Sequence, residues 1–181
     1  MIPRRVVTNI NTIGKAILQS DGVPPWSKEM VHTPGFASSF IWATSPAPKI
    51  PTSGDDPTDT ATSIVPGPGE TRFLVVTFPP DSVFADPAID FAKANQEQAE
   101  ESPGLVELFE PDHPGVHTTP TIDYGIVLDG EIWLELDDGK TIHLKEHDVV
   151  VQNGTRHAWR NKGETPTTMA FVLIGAEVTK K

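Results

Sequence analysis

The chain has 181 residues, 14 basic against 25 acidic, a net charge of −11 and no cysteine. That length predicts one domain, able to bury roughly 70% of its unfolded surface without staples. The missing thiols exclude a disulfide scaffold, thiolate zinc, iron–sulfur ligation and a cysteine nucleophile, and an acidic chain without a Lys/Arg cluster repels nucleic acid at long range. No apolar run reaches the ~18–20 residues of a membrane span, and the first 22 residues lack the apolar centre of a signal peptide. The expectation is an acidic cytoplasmic protein. Eighteen prolines and fourteen glycines beside 37% hydrophobic residues predict a turn-rich, strand-rich globule.

In chain order, residues 1–44 read as extended. Arg5–Thr8 and Ala16–Leu18 flank a Gly14-Lys15 turn, and Phe36–Thr44 is apolar. Residues 45–71 carry six of the eighteen prolines and read as a flexible loop, too polar and broken to pack as core. A barrel is expected over 72–175, opening with the strand Arg72–Phe78, which Pro79-Pro80 ends. Asp86 as N-cap and Pro87 at the first helical position predict one surface helix over about 87–101, stopped by Pro103-Gly104. After residue 115, strands alternate with tight turns. Asp129-Gly130 is a hairpin signal, and in Glu131–Leu136 the side chains of Ile132, Leu134 and Leu136 share one face opposite Trp133 and Glu135. Asp138-Gly139 turns into Thr141–Leu144, and Val149–Val151 and Met169–Ile174 follow. Short strands at this spacing predict a β-sandwich or small barrel.

Among six histidines, His117 opens a strand after Pro114-Gly115, Asp123 follows six residues later, and His157 follows Gly154-Thr155-Arg156. Two imidazoles and one carboxylate suit a first-row divalent ion and leave coordination positions for water, oxygen or substrate. There is no G-x-S-x-G elbow, phosphate loop or H-E-x-x-H.

The spacing resembles the cupin superfamily. Gly115, His117, Asp123 and Gly130 fall on its first motif, with Thr119 at the second His and Asp123 at the Glu. Gly154, His157 and Asn161 fall on its second motif, with Gln152 in place of Pro and His147 at an upstream Gly. The sequence match covers roughly 110–175. The resemblance implies an all-β double-stranded β-helix (jelly-roll barrel) with an N-terminal strand extension and one peripheral helix. It implies one metal ion (Fe, Mn, Ni, Co or Zn) on His117, Asp123 and His157, with His113 as a substitute ligand, and a homodimer, its exposed N-terminal strands inviting a second chain. Trp42, Phe40, Trp133, Trp159 and Phe171 are expected to line the interior beside Thr119 and Gln152, while Arg72 or Arg160 could meet a substrate carboxylate. The function expected is a metal-dependent lyase that decarboxylates or dehydrates an oxygenated, polyketide-like or keto-acid substrate. An iron-dependent dioxygenase and a non-catalytic ligand-binding barrel are the alternatives.

Overall fold

A computed structural model describes residues 1–179. Its strands are β1 (Arg5–Ile10), β2 (Ala16–Gly22), β3 (Ser27–Glu29), β4 (Ala37–Thr44), β5 (Thr71–Phe78), β6 (Thr121–Asp129), β7 (Glu131–Glu135), β8 (Thr141–Lys145), β9 (Val149–Asn153), β10 (Ala158–Arg160) and β11 (Thr167–Gly175). They form a six-stranded sheet in the order β3-β4-β5-β11-β6-β9, a three-stranded sheet β10-β7-β8, and a separate hairpin β1-β2. The two larger sheets make the double-stranded β-helix that the motifs imply.

Period-two alternation sets the inside. On β6, Thr121, Asp123, Gly125 and Val127 point inward and are buried, whereas Ile122, Tyr124, Ile126 and Leu128 point outward. Val127, Ile132, Leu134, Leu144 and Met169 join the sheets in one apolar cluster. Each of these side chains contributes about 1.5–3 kcal/mol on burial. A second cluster, Phe40, Ala43, Ile64, Leu74 and Leu173, fills the β4-β5 end. Ile64 lies in the segment expected to stay out of the core. Its side chain caps that end of the barrel, so residues 45–71 are polar outside and pinned inside.

Two turns behave differently. Asp138-Gly139 makes a true hairpin between β7 and β8, and both residues have positive φ, 57° and 70°. Asp129-Gly130 does not, because β6 and β7 belong to different sheets. Gly130 (φ 83°) carries the chain from one sheet to the other, and a Cβ there would stand 2.8 Å from Thr167 Oγ1. His147, at the upstream glycine position of the motif, adopts φ 72°, the left-handed conformation that glycine accepts without strain.

The helix α1 spans Phe91–Glu101, beginning later than expected. Asp90, not Asp86, is its N-cap and accepts from the Lys93 amide; Asp86 instead accepts from the Ala88 amide in the preceding turn. The Glu97 carboxylate accepts the amides of Val31 and His32 at 2.9 and 2.8 Å, which pins the helix to the β3–β4 connection.

Candidate active site

His117 and His157 lie forty residues apart in sequence and are paired neighbours on an isolated antiparallel bridge. Each backbone amide donates to the other's carbonyl, at 2.9 and 3.0 Å, so the main chain fixes their separation. The ring centroids are 4.3 Å apart. Both rings are anchored the same way: Nδ1 meets the carbonyl two residues back, Gly115 O at 3.1 Å for His117 and Thr155 O at 2.9 Å for His157. A carbonyl only accepts, so Nδ1 carries the hydrogen and each neutral ring presents an Nε2 lone pair. Neither Nε2 has a protein partner among the described residues.

Burial keeps these rings neutral. His117 and His157 are 9% and 4% exposed. Desolvation pushes His117 below its ordinary value, against the pull of the Gly115 carbonyl. For His157, desolvation and then the neighbouring His117 lower the pKa to about 4, with the Thr155 carbonyl opposing.

Asp123 sits inward on β6, in register with Gln152 on β9 and Leu173 on β11. It is 8% exposed, and its Oδ1 is buried without a hydrogen-bond partner. Burial raises the carboxyl pKa, partly countered by the Thr121 and Thr119 hydroxyls. Thr121 Oγ1 donates to Thr119 Oγ1 at 2.7 Å, and Thr155 Oγ1 donates to Gln152 Oε1 at 2.9 Å. Thr119 and Gln152 are thus buried polar residues of the interior, as expected.

The aromatic wall is partly as anticipated. Trp159 stands edge-on to His157 at 5.8 Å and 5.6 Å from Phe171, which crosses Gly125 where a Cβ would meet the ring at 3.3 Å. Phe40 is buried at the β4-β5 end. Trp133 is outside: Ile132 and Leu134 take the inward positions, and its indole stacks on exposed His143 at 4.2 Å and 1°. Trp42 is outside too, beneath the Arg5 guanidinium, because a bulge at Ile41 reverses the side it faces. His113 is exposed in the loop before His117 and pairs with Glu110 at 3.2 Å. Arg72 and Arg160 are already engaged by Glu70 and Glu135, at 2.8 and 2.6 Å.

Sequence reasoning missed Phe109, which covers His117 edge-on at 5.1 Å. Its segment is clamped by a bidentate pair from Arg156 Nε and Nη2 to Glu110, each 2.6 Å. Two surface clefts, about 430 Å³ beside α1 and about 450 Å³ beside the hairpin, are lined by other residues.

The donor set fits a first-row metal in part. Two neutral imidazoles with free Nε2 atoms are ordinary ligands. Among the described residues, however, no three His, Asp or Glu side chains form a metal-holding group. Asp123 shares the interior without completing a three-residue centre.

The Cupin_2 family, described as a cupin domain, matches residues 105–174. Phomopsin biosynthesis cluster protein C' of Diaporthe leptostromiformis is 52% identical over 63 residues, covering 34% of this chain and 33% of that protein. Oryzines biosynthesis cluster protein J of Aspergillus oryzae is 39% identical over 74 residues, 39% of this chain and 41% of its own length. The cupin-domain-containing oxidoreductase virC of Hypocrea virens is 39% identical over 62 residues, 33% of this chain and 32% of its own. The chain therefore spans under half the length of each of these relatives. The match covers the motif glycines, both paired histidines and Asp123, so residues 105–174 are those of a cupin domain.

Proposed function

We propose that the protein is a cupin enzyme acting on a small, oxygenated, largely apolar organic molecule inside the barrel, with lyase chemistry. The observation that carries this reading is the His117–His157 pair, two neutral imidazoles with open Nε2 lone pairs, in an interior that also holds a buried carboxyl of raised pKa. The relatives named for biosynthetic clusters support an organic substrate of secondary metabolism. In a dehydration, an imidazole Nε2 takes the proton from the carbon beside a carbonyl. The C–H pair becomes the new double bond, and the Asp123 carboxyl, when it carries a proton, gives that proton to the departing hydroxyl, which leaves as water. Trp159 and Phe171 pack the carbon skeleton and keep bulk water out. A divalent first-row ion, if bound, would be held by His117 and His157 and would polarise the substrate oxygen.

A second reading is oxidative, favoured by the relative named an oxidoreductase. One experiment separates the two. Protein stripped with EDTA, or reloaded with Fe, Mn, Ni, Co or Zn, is given a panel of β-hydroxy ketones and β-keto acids with and without dioxygen. Loss of water or CO2 that persists anaerobically, and falls at least about a hundredfold in His157→Ala, supports the lyase. Product formed only as dioxygen is consumed replaces it with the oxidative reading. Substrate binding without turnover under every condition overturns both and leaves a ligand-binding barrel.

A further inference from the structure

The segment between α1 and β6 is anchored at both ends and loosely tied between them. Leu105 packs on the β4-β5 apolar cluster, and His117 is fixed by the amide bonds it shares with His157. Between these points the backbone bonds close on themselves. The Glu110 amide donates to the Val116 carbonyl at 2.8 Å, and the Val116 amide to the His113 carbonyl at 3.0 Å. Residues 111–115 are all exposed. Two side chains from outside the segment grip it. Arg156 holds the Glu110 carboxylate with two nitrogens and braces itself on Asp137 at 2.8 Å. Arg160 Nη1 donates to the Pro114 carbonyl at 2.9 Å, while its Nε donates to Glu135.

What the segment carries inward is Phe109, half-buried and bridged to His117. Its ring stands at 76° to the imidazole. Both histidines are buried, so a molecule arriving from solvent has to displace something to meet Nε2. The barrel strands resist this: β6 is bonded on both sides, to β11 and β9, and β7 to β10 and β8. The segment resists less. Each side chain of the Arg156–Glu110 pair is 34% exposed, and water and salt compete for both partners. An exposed loop held by such a pair opens at less cost than a strand bonded on two sides.

We infer that residues 109–116 are a lid over the barrel site, with Phe109 its inner face and the Arg156–Glu110 pair its latch. Phe109 is then the specificity-determining residue at the entrance, and Arg156 is a positioning residue that acts through Glu110. Released at Glu110, the lid turns away from His117 between its two anchored ends. Re-formed, the pair returns the phenyl ring to the imidazole and shuts water out around the bound molecule. The lid rests on the proposed function in one respect, that substrate meets His117 inside the barrel.

The test treats the full chain, with EDTA present, with diethyl pyrocarbonate at neutral pH. Acylation of His117 is followed by peptide mass spectrometry. The readout is one imidazole and not turnover, so the lid and the lyase chemistry can fail separately. Phe109→Ala, Arg156→Gln and Glu110→Gln should each raise the His117 rate at least about tenfold. Arg156→Lys keeps a cation on Glu110 and should stay within about threefold of wild type. His147, whose side chain is 85% exposed, should react at one rate throughout. In wild type the His117 rate should also rise as NaCl goes from about 0.05 M to about 1 M, and in Arg156→Gln that dependence should vanish. Amide exchange in β6 and β11 should not change. A His117 rate that the latch variants and salt leave unmoved overturns the inference, even where Phe109→Ala raises it. A rise matched by faster exchange in β6 and β11 overturns it too, since the whole fold has then loosened.

Discussion

The neutral state of His157 should be visible as a pH dependence of stability. Its pKa falls from the model-peptide 6.5 to about 4 in the fold. Between those values the unfolded chain takes up a proton that the native ring refuses. Stability is therefore fully present above pH 6.5 and is lost as pH falls through the window toward 4. The shift converts at 1.36 kcal/mol per unit into a full effect of about 3 kcal/mol, of which about 1 kcal/mol is lost between pH 7 and pH 5.5. That is a measurable part of the 5–15 kcal/mol typical of a domain. Urea unfolding with EDTA present, at pH 7 and pH 5.5, compares wild type with His157→Gln, which cannot titrate. Wild type should lose about 1 kcal/mol more than the variant over that interval, with the sign fixed. His117 acts in the same direction, so the double variant should flatten the profile further. Asp123, with its raised pKa, acts oppositely: its contribution is present at low pH and is lost as pH rises through the folded value. Equal losses in wild type and His157→Gln would refute the burial of a neutral imidazole.

Asp123→Asn should leave stability at pH 8 unchanged or higher, because it removes a carboxylate whose ionisation the interior opposes, while turnover falls at least about a hundredfold; parallel loss of melting temperature and activity would make Asp123 merely structural. Thr119→His adds an imidazole at a buried inward position, and calorimetric titration should show Zn or Ni binding tightened at least about tenfold; unchanged affinity would mean position 119 does not reach the His pair. Gly175→Ala should lower stability by at least about 2 kcal/mol, since the new Cβ would stand 1.9 Å from the Gly67 carbonyl oxygen; an unchanged melting temperature would contradict that approach.

The barrel was legible because alternation and turn residues agree after residue 115, and the His117–His157 pairing because motif spacing implies a shared fold. The errors have local causes. Phe40 and Trp42, two apart, should share a face, but the bulge at Ile41 inserts a residue that no alternation rule detects. Trp133 was readable from its neighbours: Ile132, Leu134 and Leu136 already formed the apolar face, and the size of the indole outweighed its phase. The helix start turned on two aspartates four residues apart, both bonding backbone amides, of which only Asp90 is followed by helix. Ile64 was hidden by the prolines around it, since composition describes a segment and packing depends on one side chain. Phe109 carried no signal at all, because its contact with His117 depends on how a loop returns to the barrel.

The mutual amide bonds between His117 and His157 have a consequence for how such a barrel can diversify. The reactive spacing is written into the backbone, and the two rings are oriented by carbonyls that every residue type provides. None of those hydrogen bonds is made by Trp159, Phe171, Thr119 or Gln152. Wall residues can therefore be exchanged to admit molecules of different shape while the paired nitrogens keep their positions. Recognition and reactivity are separable here, and a lineage could rewrite the first many times without having to reinvent the second.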